Sequence, residues 1–227
     1  MERQNFHREL ENLRLTLYKM AALSRQSFEN AARAYLDRDD ELAQAVIDGD
    51  RDINRIEIEI DRHSLRLLAL DQPMARDLRM IVGIMRISND LERIADQSVN
   101  IAERTMFLCQ HPPLDPIPAM AQLIDMSKTM LTMATGAMRD MDTETAKKIP
   151  PLDDYADEYT MQVLKGLIEI MASSSPGFEK RVLKMRRSIQ TIIISRCLER
   201  IADLSTNIGE HVAFIVEGVN IKHQEKL

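Results

Sequence analysis

The chain has 227 residues, 44% hydrophobic and 29% charged, with a formal net charge of −6 and two cysteines. That is the composition of a folded domain and not of a disordered segment. The acidic balance argues against non-specific nucleic-acid binding, which needs a basic surface. No apolar run approaches the ~18 residues of a membrane-crossing helix, and the N-terminus lacks a signal-peptide layout, so a cytoplasmic protein is expected.

With only 7 Gly and 8 Pro, the chain has few turns. Leu10, Leu13, Leu17, Met20, Leu23, Phe28, Ala31 and Tyr35 recur at helical spacing and predict a first helix over roughly 35 residues. Asp39-Asp40-Glu41 supplies a cap and first-turn acids for a second helix running to about Leu70. A third is expected to start at Pro73, with Asp71 as N-cap, and to run to about Cys109. The stretch His111-Pro-Pro-Leu-Asp-Pro-Ile-Pro118 forbids helix, because each proline lacks an N–H and pushes its predecessor out of the α region. A fourth helix is predicted over roughly 118–141. A helical turn at 143–148 then precedes a fifth helix from Pro151 to about Ala172, and a sixth runs from Pro176 to about Val219. The expected fold is all-α: two tandem three-helix bundles of long antiparallel helices, residues 1–111 and 119–227, joined by a proline-rich linker at 112–118.

An internal repeat supports the two halves. Residues 87–103 match 194–210 at 12 of 17 positions without a gap, where chance on average composition gives about one. At 100° per residue, Asn89, Glu92, Asp96, Asn100 and Glu103 form a polar stripe about 80° wide, opposite the apolar face of Leu91, Ile94 and Ile101. Glu199, Asp203, Asn207 and Glu210 repeat it in the second half, with Arg196 in place of the asparagine and His211 added. Asp50, Asn54, Glu57 and Asp61 offer matching groups on the second helix, and Asp153 and Asp157 a shorter version on the fifth. Six carboxylates of the first half, Asp50, Glu57, Asp61, Glu92, Asp96 and Glu103, are expected to converge there. Arg93 and Arg200 lie about 100° round the helix from the preceding glutamate, so local ion pairs are a poor remedy for the repulsion.

Oxygen-rich sets of this kind suit hard or borderline cations such as Mg²⁺, Mn²⁺, Fe or Zn²⁺, and several acids per unit suggest more than one ion. The competing reading is a solvated acidic helix face on a metal-free scaffold. A di-iron carboxylate enzyme or metal store is a further alternative, but it asks for inward-facing Glu-x-x-His pairs, which this chain lacks. No phosphate-binding loop, dinucleotide fingerprint or nucleophile elbow is present, so the chain is not expected to be an enzyme. Lys180, Arg181, Lys184, Arg186 and Arg187 read as a solvated basic face or a partner patch. The methionines read as core filler, as at Met80, Met85, Met126, Met130 and Met133.

From about residue 8 to 217 the chain resembles the PhoU family. The resemblance rests on Gln72-Pro73-Met74-Ala75-Arg76-Asp77-Leu78-Arg79 and on the paired Glu-Arg-Ile-Ala-Asp segments at 92–96 and 199–203. Ala95 and Ala202 depart from the family's usual glycine, and the second copy lacks the Gln-Pro turn motif. The resemblance implies two PhoU units that bind metal through acid-x-x-x-Asp pairs: Glu92 with Asp96, Glu199 with Asp203, Asp153 with Asp157, and in part Asp50 with Asn54. It also implies a non-enzymatic regulator, commonly a homodimer, that restrains phosphate uptake by contacting a phosphate ABC transporter ATPase and a sensor histidine kinase.

Overall fold

In a computed structural model, residues 2–173 and 177–219 are described. They form seven helices and, among the described residues, no strand: α1 (Glu2–Asp37), α2 (Asp40–Asp71), α3 (Ala75–Cys109), α4 (Pro118–Asp140), α5 (Thr143–Ala146), α6 (Pro150–Ala172) and α7 (Phe178–Glu217). Helices α1, α2 and α3 pack on one another, as do α4, α6 and α7, with α5 filling the gap between α4 and α7.

Each helix follows from its own pattern. Leu13, Leu17, Met20, Phe28 and Ala31 are fully buried along α1, and Ile53, Ile56 and Ile60 form the buried stripe of α2. Asp39 caps α2 by accepting the Leu42 N–H at 2.9 Å. Pro118 opens α4 and Pro150-Pro151 opens α6, where missing N–H groups cost nothing. Met80 and Met130 are buried, while Met85, Met126 and Met133 pack against the core from its edge.

Two helix starts differ from expectation. Pro73 is not in the first turn of α3 and Asp71 is not its cap; Asp71 ends α2, and Met74 caps α3 without a side-chain hydrogen bond. Gln72 and Ala75, on either side of Pro73-Met74, both adopt left-handed conformations (φ 45° and 48°), so the reversal spans the proline and α3 starts beyond it. Helix α6 begins at Pro150, one residue early. Pro176, expected to open the last long helix, lies outside the described residues; α7 begins at Phe178.

The halves meet through α3 and α7, which run antiparallel. Asp90 lies against His211, Gly83 against Ile215, and Arg79 against Gly218, so positions advance on α3 as they recede on α7. This joint brings the two copies of the repeated segment back to back. Small residues let the backbones approach: Ser98 and Ser205, at equivalent positions, are both buried and donate to the carbonyls of Ile94 and Ile201 at 2.8 Å. Ser127 ties α4 to α7 by donating to the Leu198 carbonyl at 3.0 Å. The linker is held by Arg38, which donates to the carbonyls of Leu108 and His111, and by Arg187, which donates to those of Pro112 and Pro113.

Candidate metal centre

The buried stripes of α2 and α3 fix how these helices rotate, and that rotation turns their polar stripes toward a shared groove. In the first half the carboxylates interact. Burial raises the Glu92 carboxyl above its ordinary range, and the charges of Asp96, Glu57 and Asp50 raise it further, while Arg93 offsets part of this. Burial, then Asp50, does the same to Asp96; burial, then Asp61, does it to Glu57. Asp50, Glu57 and Asp61 on α2 thus form one negative field with Glu92 and Asp96 on α3.

Asn54 donates through Nδ2 to Asp50 Oδ2 at 2.7 Å, which locks the two side chains together. The other oxygens of that pair, Asp50 Oδ1 and Asn54 Oδ1, are buried without a hydrogen-bond donor. A buried oxygen without a donor is costly, and here two sit side by side. Glu103, expected in the same set, stands apart: it is exposed and 3.6 Å from Arg104. Asn100 turns back to donate to the Asp96 carbonyl at 3.0 Å.

The second half is built differently. Asp153 is pushed up to about 7 by burial first, then by Asp203, Asp157 and Glu199, and its Oδ1 is also buried without a donor. Its partners on α7 carry local cations. Arg200 reaches Asp203 at 2.7 Å and Arg196 reaches Glu199 at 3.4 Å. This corrects the expectation that nearby arginines are of no help: the effective spacing is i to i+3, not arginine to the residue before it. Thr160 stands where the first half has Glu57 and is buried with an unpartnered hydroxyl. Asn207 is half-buried further along α7, and Glu210 has polar contacts of its own.

Among the described residues, no three His, Cys, Asp or Glu side chains close to metal-coordinating spacing. The acids are neighbours that raise one another's carboxyls without closing on a common point. The donor set nonetheless fits a hard cation: carboxylate and amide oxygens only, with unpartnered oxygens of Asp50, Asn54 and Asp153 buried within it. Sequence reasoning missed Asp90, buried at 5% exposure beside the first groove and in contact with His211 at 3.2 Å. The signal was present. Within the duplicated segment, Asp90 stands where the second copy has Cys197, a charged residue in place of a core thiol.

A duplicated all-α bundle with an acidic groove on each half defines the protein as a tandem-repeat helical protein, and no described helix is long and apolar enough to cross a membrane. The PhoU domain matches it twice, over residues 17–105 and 120–212. The chain belongs to the PhoU family. It is 35% identical over 217 residues to the phosphate-specific transport system accessory protein PhoU homolog of Aquifex aeolicus, covering 96% of this chain and 95% of the relative. It is 33% identical to that of Pseudomonas aeruginosa, covering 97% and 88%. The crystal structure of PhoU from Pseudomonas aeruginosa superposes with a TM-score of 0.87 at 31% identity, covering 94% of this chain and all of the other. That of the phosphate transport system regulatory protein PhoU from Streptococcus pneumoniae does so with 0.84 at 27%, covering 96% and 99%. These relatives are named as accessory and regulatory proteins, not enzymes.

Proposed function

We propose that the protein is a cytoplasmic regulator of phosphate transport that restrains phosphate uptake and the phosphate-starvation response. It does so by contacting the ATPase of a phosphate ABC transporter and a sensor histidine kinase, and it acts as a homodimer. The observation that carries this reading is similarity along nearly the whole chain to proteins named for phosphate transport accessory function. A binding test with purified transporter ATPase and kinase sensor domain checks it. Retention by at least one partner, changing with phosphate concentration, is expected; binding to neither at any phosphate concentration refutes it.

Each carboxylate groove is further proposed to hold one or more divalent or trivalent ions, Fe, Zn, Mn or Mg. Asp50, Asn54, Glu57, Asp61, Glu92 and Asp96 hold them in the first half, and Asp153, Asp157, Glu199 and Asp203 in the second. Asn100, Glu103, Asn207 and Glu210 form the outer ends of the stripes. A cation there screens the mutual repulsion of the acids and ties α2 to α3 and α6 to α7. The unpartnered oxygens of Asp50, Asn54 and Asp153 support this reading over a solvated acidic face. Elemental analysis after chelator-free purification tests it: wild type is expected to carry metal that Glu92→Gln/Asp96→Asn loses, and equally low content in both refutes it.

A further inference from the structure

The duplicated segment carries an arginine at the same place in each half, Arg93 in the first and Arg200 in the second, each directly after the glutamate of an acid pair. Their side chains are equally exposed, 39% and 41%, yet they turn in opposite directions along their helices. Arg93 turns back to Asp90, three residues before it, with Nη1 3.7 Å from Oδ1. Arg200 turns forward to Asp203, three residues after it, with Nη1 2.7 Å from Oδ2. Asp90 belongs to the joint between α3 and α7, whereas Asp203 belongs to the second groove.

The difference follows from what stands at the joint. Asp90 is buried and offers one oxygen to each neighbour, Oδ1 to Arg93 and Oδ2 to His211. The same position of the second copy holds Cys197, buried within the field of Arg104. Arg200 therefore finds no acid one turn back, only a thiol beside another guanidinium, and lies on the groove instead. The pull of the grooves alone predicts the reverse. Arg93 stands beside the field of Asp50, Glu57, Asp61, Glu92 and Asp96, while the second groove has Thr160 in place of Glu57. Arg93 has the more acidic groove within reach and still turns to Asp90.

The consequence differs for each groove. Among the described residues, Asp50, Glu57, Asp61, Glu92 and Asp96 form no ion pair with an arginine, lysine or histidine. In the second half Arg200 holds Asp203, and Arg196, which replaces Asn89 of the first copy, holds Glu199 at 3.4 Å.

We infer that Asp90 is a positioning residue that keeps the first groove free for a metal ion, and that Arg200 and Arg196 are internal counter-ions which a metal must displace from the second. This rests on the proposed occupancy of the grooves by metal and adds an order to it: the first groove fills at lower metal concentration than the second. An ion entering the first groove relieves repulsion among acids that have no other cation. An ion entering the second has to break two ion pairs and then sit beside two guanidinium groups.

The test uses Mn²⁺ alone, titrated calorimetrically into the chelator-stripped full chain at constant ionic strength. Glu199→Gln/Asp203→Asn isolates the first groove and Glu92→Gln/Asp96→Asn the second. In the second-groove background, Arg200→Gln is expected to tighten Mn²⁺ binding about tenfold, a modest factor because the side chain is part-exposed and screened. Damage to the fold would weaken binding instead. Cys197→Asp, which gives Arg200 an acid at the joint, should tighten it as well. In the first-groove background, Asp90→Asn is expected to weaken Mn²⁺ about tenfold by releasing Arg93 into the groove, and Asp90→Asn/Arg93→Gln to restore the affinity. That recovery separates charge from packing, since the buried contacts of Asp90 stay lost in the double variant. The inference is overturned, with the metal reading left standing, if Arg200→Gln leaves second-groove affinity unchanged or weaker. Failure of Asp90→Asn to weaken the first groove, or of Arg93→Gln to restore it, overturns it in the same way. Should Asp90→Asn not fold, Cys197→Asp decides: unchanged or weaker binding overturns the role given to the joint acid. No Mn²⁺ binding in either background overturns the inference and the metal reading together.

Discussion

Asp90 on α3 and His211 on α7 meet across the joint between the two halves, Oδ2 to Nε2 at 3.2 Å, with Arg93 3.7 Å from the other carboxylate oxygen. Asp90 is 5% exposed, so its charge sits where water cannot compensate for a lost partner. His211→Ala, which leaves Asp90 buried without its imidazole partner, is expected to destabilise the protein by about 1–3 kcal/mol, the cost of taking a partner from a buried polar group. In a chain of this size that lowers the melting temperature by about 2–4 °C for each kcal/mol. Thermal circular dichroism checks it; a change below about 1 °C would show that the contact carries no stability.

Two glycines separate close packing from open space. A Cβ at Gly83 would overlap Cγ1 and Cδ1 of Ile215, which is 1% exposed and has no room to swing away. Gly83→Ala should therefore destabilise by about 1–3 kcal/mol despite alanine's better helix propensity. A Cβ at Gly136, in α4, meets nothing, so Gly136→Ala should stabilise by about 0.5–1 kcal/mol. Urea titration of both variants measures the two signs.

Asp153 makes stability depend on pH. Its native carboxyl is raised from 3.8 to about 7, so folding favours the protonated form. That stabilisation is fully present below the unfolded pKa and is lost as pH rises through the native value, a window from 3.8 to about 7. Asp153→Asn removes the loss. In chelator-treated buffer it should raise stability at pH 8 by roughly 1–2 kcal/mol, reduced from the full shift because the group is half-exposed. At pH 4 the gain should vanish. A gain that does not change between pH 4 and 8 would count against the assignment.

The linker is pinned by two arginines. Arg38 donates to Leu108 O at 2.6 Å and to His111 O, and Arg187 to Pro112 O at 2.5 Å. Charge-assisted bonds of this kind contribute about 1.5–3 kcal/mol each. Arg38→Ala/Arg187→Ala should open the segment around 110–117 to protease, with cleavage about tenfold faster for each 1.4 kcal/mol lost. Mass spectrometry of timed digests locates the cut; digestion at the wild-type rate would mean the linker is held by its prolines alone.

The helices and the direction of the acidic stripes were legible because both follow from residues three and four apart. Leu13, Leu17 and Met20 announce a buried face, and Glu92 with Asp96 an outward one, without knowledge of any neighbour. What was not legible depends on how helices sit against each other. The Asp90–His211 contact arises because α3 and α7 run antiparallel, which no local pattern states. The arginine pairing of the second groove was missed for a smaller reason: its effective partners lie one turn on, at Asp203 from Arg200 and Glu199 from Arg196. The start of α3 was misplaced because Gln72 and Ala75 both take left-handed conformations that neither a glutamine nor an alanine advertises.

The antiparallel joint has a further consequence for how such a chain can change over time. In a single-unit precursor pairing two α3 helices face to face, the contact now made by Asp90 and His211 would have occurred twice, once on each side of the symmetry axis. Duplication released the two copies from each other. The position of Asp90 is taken in the second copy by Cys197, whose thiol burial pushes up to about 11 and feels the charge of Arg104, the counterpart of His211. One joint contact is thus an acid with an imidazole and the other a thiol with a guanidinium. A substitution on one side no longer appears on the other as well, so each half of the molecule is free to specialise.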